Sequence, residues 1–171
     1  MILVISTCKD DLSIFEFVGP LQKLANGCSF KHYNELTSRD LNSADKIIIS
    51  GTALADFDYL EGDWEWLKTF DKPVLGICAG MQVIAKTFGL KLAKNVIIGP
   101  QPVETVKDNP LCEGMFNAYF LHTYTAGKPF EILAKTNGKS CMIKHPEKQI
   151  YGVSFHPEVM NENIIKNFVK L

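Results

Sequence analysis

The sequence has no C-x-x-C pair. Its five cysteines stand at positions 8, 28, 78, 112 and 141, odd in number and scattered. Neither a disulfide framework nor a zinc site is indicated, and no metal is expected. That cysteine usage predicts a reducing, cytoplasmic setting. Charge of one sign is not in excess either: the formal net charge is −1 over 171 residues. No electrostatic case therefore exists for nucleic acid or for an anionic membrane as partner. No apolar run approaches the length of a membrane span. Met1 to Ser6 is apolar but lacks a basic leader and meets Lys9-Asp10-Asp11 too soon for a signal peptide. Phosphate-binding fingerprints are missing too, since neither G-x-x-x-x-G-K-[ST] nor G-x-G-x-x-G occurs. No cofactor is expected. No repeat, low-complexity tract or linker interrupts the chain, which reads as one domain over 1–171.

What is present is enough for a good core. Hydrophobic residues make up 46 % and charged residues 22 %, the balance of a globular domain. Strand signals come early and short: Ile2 to Ile5, Cys28 to Tyr33, Lys46 to Ser50 and Val74 to Ile77. Helical patterns lie between them. Asp11 to Ala25 should break or restart at Gly19-Pro20 and close at Asn26-Gly27. Tyr59 to Phe70 is expected as a helix ending before Pro73, and Ala79 to Phe88 as another stopped by Gly89. The second half changes character. Val96 to Val106, Met115 to His122, Phe130 to Thr136, Ser140 to Lys144 and Ile150 to Phe155 are successive strand candidates. Asn137-Gly138 is a hairpin turn signal. A helix over Asn161 to Leu171 closes the chain. The fold class expected is α/β: an open, mainly parallel central sheet with helices on both faces and additional antiparallel strands in the C-terminal half.

Gly76-Ile77-Cys78-Ala79-Gly80 joins the fourth strand to the helix behind it. The pattern G-x-C-x-G is a nucleophile elbow with cysteine in place of serine. Such a sharp turn needs small neighbours, which Gly76 and Gly80 supply. The following helix turns its free N–H groups toward Cys78, a favourable place for negative charge on sulfur. A buried cysteine beside two turn glycines is the bland alternative, so the pattern calls for a base. Phe155-His156-Pro157-Glu158-Val159 ends the last strand. In extended chain, residues two apart share a side, so Glu158 can orient one imidazole nitrogen of His156 and leave the other for Cys78. His32 and His145 have no such company. His122 stands at a strand end and is kept as a substrate-binding candidate. Asp56 to Glu65 gathers five acidic residues with Trp64, and Trp66 follows directly. It reads as a solvated helix face with one tryptophan packed inward, or as a partner contact.

Gly-Ile-Cys-Ala-Gly-Met-Gln over 76–82, followed by Phe-His-Pro-Glu-Val over 155–159, resembles the class I glutamine amidotransferases, the triad-type glutaminase domains. The resemblance covers the whole chain and implies the open α/β fold of that family, with the site at the carboxyl ends of the strands. It implies Cys78 as the nucleophile on L-glutamine, His156 as base and then acid, and Glu158 as its orienter. Gln82, one helical turn past the nucleophile, is implied to help hold substrate. The oxyanion donors expected are the N–H of Ala79 and one from the Gly51-Thr52 loop. Here the chain departs from the family: Ser50-Gly51-Thr52-Ala53 stands where Ser-Gly-Gly-Pro is usual. A Cβ at Thr52 restricts the backbone, so the expectation is a loop resting out of position until a partner docks. Ala79 and Met81 are smaller departures. Phe116 to Val159 looks most like the separate glutaminase subunit of archaeal-type GMP synthases. Glutaminase subunits of anthranilate or aminodeoxychorismate synthases, and a cysteine hydrolase of γ-glutamyl substrates, are the alternatives. Each of the amidotransferase readings implies a separate ammonia-accepting synthetase as partner.

Overall fold

In the computed structural model, which describes residues 1–171, short apolar strands run parallel at the centre of the molecule. They are β1 (Ile2–Ser6), β3 (Lys46–Ile49), β4 (Val74–Ile77) and β9 (Ile150–Val153), with β2 (Ser29–His32) on the outer edge of β1. Successive side chains of a strand point to opposite faces. Leu3, Ile5, Ile47 and Ile49 accordingly join one hydrophobic cluster, whereas Val4 and Ile48 join another. Both faces are covered, which is why these strands are nearly all apolar. On one face pack α1 (Asp11–Phe17), α2 (Gly19–Leu24) and α6 (Glu162–Lys170), through Phe17, Leu21, Ile164, Ile165 and Phe168. On the other pack α5 (Ala79–Thr87), through Met81, Val83 and Ile84, and Leu67 of the short α4 (Trp66–Thr69).

The C-terminal half extends the same sheet with antiparallel strands β5 (Ala93–Thr105), β6 (Met115–Thr125), β7 (Glu131–Thr136) and β8 (Lys139–Lys144). The order is β2-β1-β3-β4-β9-β8-β7-β5-β6. Asn137 and Gly138 turn the β7–β8 hairpin with φ of 49° and 74°, the conformation that an Asn-Gly turn provides. Although β6 is last in order, it comes back to the site. Phe120 bridges Phe155, and the His156 N–H donates to the Tyr119 carbonyl at 2.8 Å. The segment after β9 is thus fastened to the far strand of the sheet.

The helix break at Gly19-Pro20 is as expected, with Pro20 in the first turn of α2. One expectation fails. No continuous helix spans 59–70; a 3-10 turn over Asp58–Glu61 is followed by extended chain at Gly62 and then α4. Tertiary packing overrides the helical pattern here. A Cβ on Gly62 would meet Trp64 and Tyr33 at 2.8 Å. Trp64 is drawn inward, stacked on Tyr33 and donating from Nε1 to the Tyr59 carbonyl at 2.8 Å. Trp64 does pack inward as expected, but the acidic segment is a turn and not a helix face. Helix α3 (Ser38–Ser43) lies outside the expected elements; the Thr37–Asp40 capping box is the local signal that marks it.

The elbow glycines are dictated by contact. A Cβ on Gly80 would stand 2.5 Å from the Ile49 carbonyl oxygen, and one on Gly76 would stand 2.5 Å from the Gly80 carbonyl carbon. Both obstacles are backbone and cannot rotate away. Gly80→Ala should therefore lose roughly 1–3 kcal/mol of stability. Gly19→Ala, with nothing within 4 Å, should lose almost none. Equal urea midpoints for the two variants would refute this account of the elbow.

Candidate active site

Cys78 sits between β4 and α5 with φ 50° and ψ −98°. This conformation is disfavoured for a residue bearing a Cβ and costs roughly 1–3 kcal/mol. Its N–H donates to the Val153 carbonyl at 2.7 Å, and its carbonyl accepts from the Gln82 N–H at 3.1 Å. The turn is thereby tied to β9 on one side and to α5 on the other. The thiol is buried and directed at the Leu121 carbonyl, 3.3 Å away. As the residue before the first helical position, Cys78 faces the unpaired N–H groups that open α5, that of Ala79 among them.

His156 and Glu158 form a buried pair across the elbow. Nδ1 of His156 lies 2.7 Å from Oε1 of Glu158, and each side chain is only 1 % exposed. Phe17 packs on the imidazole with ring centroids 5.5 Å apart. The second ring nitrogen, Nε2, makes no hydrogen bond. Burial disfavours the imidazolium. Negative charge on the Cys78 sulfur, once its proton has left, and then Glu158 outweigh it, raising His156 well above the ordinary histidine range. Gly51 fits between the imidazole and the sulfur. A Cβ there would stand 2.6 Å from Cε1 of His156 and 3.4 Å from Cβ of Cys78. Only glycine leaves both in position.

Cys78, Ala79, Gln82, Thr52 and His122 line one cavity, with Tyr59, Phe57, Asp56 and Leu121 among the other residues of its wall. All eight residues singled out from the sequence thus converge on the strand ends. Tyr59 is an addition that the sequence pattern does not mark. Its hydroxyl donates to Oε1 of Gln82 at 2.7 Å, which turns the amide nitrogen toward the Tyr124 carbonyl at 3.4 Å and the cavity. It lies inside the stretch expected to be regular helix, and no local signal sets it apart. Thr52 differs from expectation. Its φ is not positive, so its backbone is one that any residue adopts and the Cβ forces nothing out of position. Its hydroxyl donates to Asp56 at 2.8 Å, and Asp56 also accepts from the Lys9 N–H at 2.9 Å. These bonds fold the 52–58 loop over the sulfur. The cavity left is about 10 Å³, room for a single water at most. A group larger than water reaches Cys78 only when this cover moves.

His122 is 1 % exposed, and neither ring nitrogen has a partner. Burial, and then the charge on His156, lower its pKa from 6.5 to about 4. Between those values the unfolded chain takes up a proton that the folded chain refuses. Stability attributable to His122 is present above pH 6.5 and is lost as pH falls toward 4, by at most about 1.4 kcal/mol per pH unit. His122→Gln should flatten the fall of the urea midpoint over that window. Identical slopes for variant and wild type would mean that His122 titrates normally.

A family model for glutamine amidotransferase class-I matches residues 21–170. Among curated relatives, a subunit of glutamine-hydrolyzing GMP synthase from Methanococcus aeolicus is 34 % identical over 180 residues, 86 % of this chain and 95 % of that one. The protein of the same description from Pyrococcus abyssi is 31 % identical over 146 residues, 77 % of each chain. In fold, the chain is similar to a candidate GMP synthase subunit from Thermoplasma acidophilum, with TM-score 0.84 and 22 % identity over 99 % of this chain and 92 % of that one. A glutamine amidotransferase from Thermotoga maritima aligns with TM-score 0.72 and 19 % identity, covering 99 % of this chain and 81 % of that one. With its cysteine elbow, its buried His–Glu pair and a family match along nearly its whole length, this chain belongs to the class I glutamine amidotransferases.

Proposed function

We propose that the chain is the glutaminase subunit of a two-subunit GMP synthase, one catalytic unit over 1–171. It hydrolyses L-glutamine to glutamate and supplies ammonia to a separate synthetase subunit. The observation that carries the chemistry is the meeting of the strained Cys78 turn with the buried His156–Glu158 pair across Gly51. The pathway rests on the relatives described as GMP synthase subunits, which this chain matches over most of its length.

The chemistry divides into attack and release. Glu158 accepts from Nδ1 of His156, leaving the unpartnered Nε2 as the base for the Cys78 proton. The sulfur attacks the carboxamide carbon, and charge gathers on the amide oxygen. The N–H groups of Ala79 and Thr52 stabilise that charge. As the tetrahedral adduct collapses, the C–N bond breaks and the imidazolium returns the proton to departing ammonia. Water, deprotonated by His156, then cleaves the γ-glutamyl thioester and restores the thiol. Gln82, its amide oriented by Tyr59, offers an N–H suited to the substrate carboxylate. Neutral His122 offers one donor and one acceptor to the same end of the substrate.

Cys78→Ala should abolish ammonia release from glutamine while leaving the fold intact. His156→Ala should lose nearly as much, because members of a triad act as a unit; Glu158→Gln should lose less. A glutamine-like diazo-ketone should label Cys78 and none of the other four cysteines. Labelling elsewhere, or an active Cys78→Ala variant, would sink the assignment. Mixed with a separate GMP synthetase subunit, the chain should support glutamine-dependent GMP formation. Stimulation only by an anthranilate-type synthetase would move it to that pathway, and action on γ-glutamyl peptides alone would make it a hydrolase.

The closed cover over Cys78 leads to one more expectation. Ammonia release by the isolated chain should be slow and should rise when a synthetase docks and shifts the cover toward its open state. Asp56→Ala, which removes the acceptor of both Thr52 and Lys9, should speed Cys78 labelling in the isolated chain and reduce the stimulation. Unchanged labelling would show that the cover is not the barrier.

A further inference from the structure

One peptide group beside the nucleophile is held more firmly than its surroundings require. The carbonyl oxygen of Gly51 accepts from Oγ of Ser50 at 2.8 Å, from Oγ1 of Thr7 at 3.2 Å and from Sγ of Cys8 at 3.4 Å. All three donors are fully buried, at 0–1 % exposure. Their own orientations are set as well. Ser50 Oγ accepts from the Thr7 N–H at 3.2 Å, so its proton is directed onward to Gly51. Thr7 shares its proton between the carbonyls of Ser50, at 3.0 Å, and Gly51. Burial pushes the Cys8 thiol up, which keeps its proton in place for donation.

The direction of this clamp matters. Thr7 and Cys8 follow β1, Ser50 and Gly51 follow β3, and Cys78 follows β4; β3 lies between the other two in the sheet. The Gly51 carbonyl therefore points toward β1, away from the sulfur. In a trans peptide the N–H of the next residue points the opposite way, and the Gly51–Thr52 bond is trans. The Thr52 N–H thus faces the β4 side, where Thr52 and Cys78 line the same cavity. It has no acceptor within the chain. The Thr52 hydroxyl is engaged with Asp56 and does not compete for that space.

We infer that Thr7, Cys8 and Ser50 are positioning residues that lock the Gly51–Thr52 peptide, so that its N–H is an oxyanion donor even before any partner binds. This rests on the glutaminase reading above. Rotating the peptide to turn its carbonyl into the site would break three buried hydrogen bonds. The clamp thus answers the question raised by threonine at 52, because the aim of the donor is set by the carbonyl before it and not by the side chain after it.

The test is ammonia release from glutamine by the full chain, alone and with its synthetase, for Thr7→Val, Ser50→Ala and the double variant. Removing one oxyanion donor outright lowers turnover by about 10²–10³. The double variant should approach that loss in kcat, and each single variant should lose a smaller part. KM should move by less than about twofold, since the oxyanion exists only after attack. Affinity for glutamate γ-semialdehyde, whose hemithioacetal oxygen occupies the oxyanion site, should fall in step with kcat. Thr7→Ser and Cys8→Ser keep a donor and should keep the rate. A purely structural role would instead lower the melting temperature and move KM and kcat together. Wild-type kcat and wild-type aldehyde affinity in a folded double variant would overturn the clamp and leave the glutaminase reading standing. Absence of glutamine hydrolysis by the wild type in both settings would overturn that reading and the clamp with it.

Discussion

The close approach of α5 to β3 and β4 is the constraint on which the rest depends. Gly76 and Gly80 permit it, and no other residue could, because the obstacles are the Ile49 and Gly80 backbones themselves. That approach forces the chain through φ 50° at Cys78. The strain is retained because parallel pairing of β4 with both β3 and β9 holds the strand end on two sides. Once the turn is made, the sulfur projects beyond the sheet and the opening N–H groups of α5 surround it. The position of every other site residue is measured from this one turn.

Around it, an interior that is mostly apolar carries a compact set of buried polar groups: Thr7, Ser50, Thr52, Gln82, His122, His156 and Glu158. In such surroundings a paired polar group is strongly oriented and an unpaired one is costly. Glu158 fixes His156, Tyr59 fixes Gln82, and three donors fix the Gly51 carbonyl. The groups left without partners are His156 Nε2, both nitrogens of His122, one oxygen of Glu158 and the Thr52 N–H. Of these, His122 and Thr52 line the cavity beside Cys78. A bound substrate could compensate these groups, whereas Ser29 Oγ, Trp66 Nε1, Asn95 Nδ2 and Ser140 Oγ are buried without partners elsewhere in the chain. The cover formed by the 52–58 loop keeps bulk water out of the cavity. The opposing demands of a dry site and substrate access meet in the few hydrogen bonds that Asp56 accepts.

Much of this is legible in the sequence, for identifiable reasons. The parallel strands announce themselves because burial on both faces demands continuous apolar runs. The elbow is legible because close backbone approach admits only glycine. His156 and Glu158 are legible as a pair from their spacing, but the reason differs from the one expected. The strand ends at Val153, and a turn over 157–159, closed by the Val159 N–H on the His156 carbonyl at 3.1 Å, brings them together instead of extended chain. The helix expected over 59–70 fails for the opposite reason. Its apolar spacing suits a helix, but Trp64 gains more by packing on Tyr33 than a regular turn would allow. The expectation for Thr52 errs by treating a family departure as a steric fault, when its φ is unexceptional.

By itself, the sequence determined the fold class and singled out Cys78, His156 and Glu158, because these rest on local periodicity and on residue types that few backbones accept. It could not determine what the strand ends bring together from distant segments. That Phe17 packs on His156, that Tyr59 orients Gln82 and that Thr7 and Cys8 hold the carbonyl of Gly51 are facts of sheet order. Interleaving β1, β3, β4 and β9 places residues from opposite ends of the chain at one edge. Only tertiary structure decided those contacts, because sheet order is set by total burial over the whole core and leaves no signature in any one stretch.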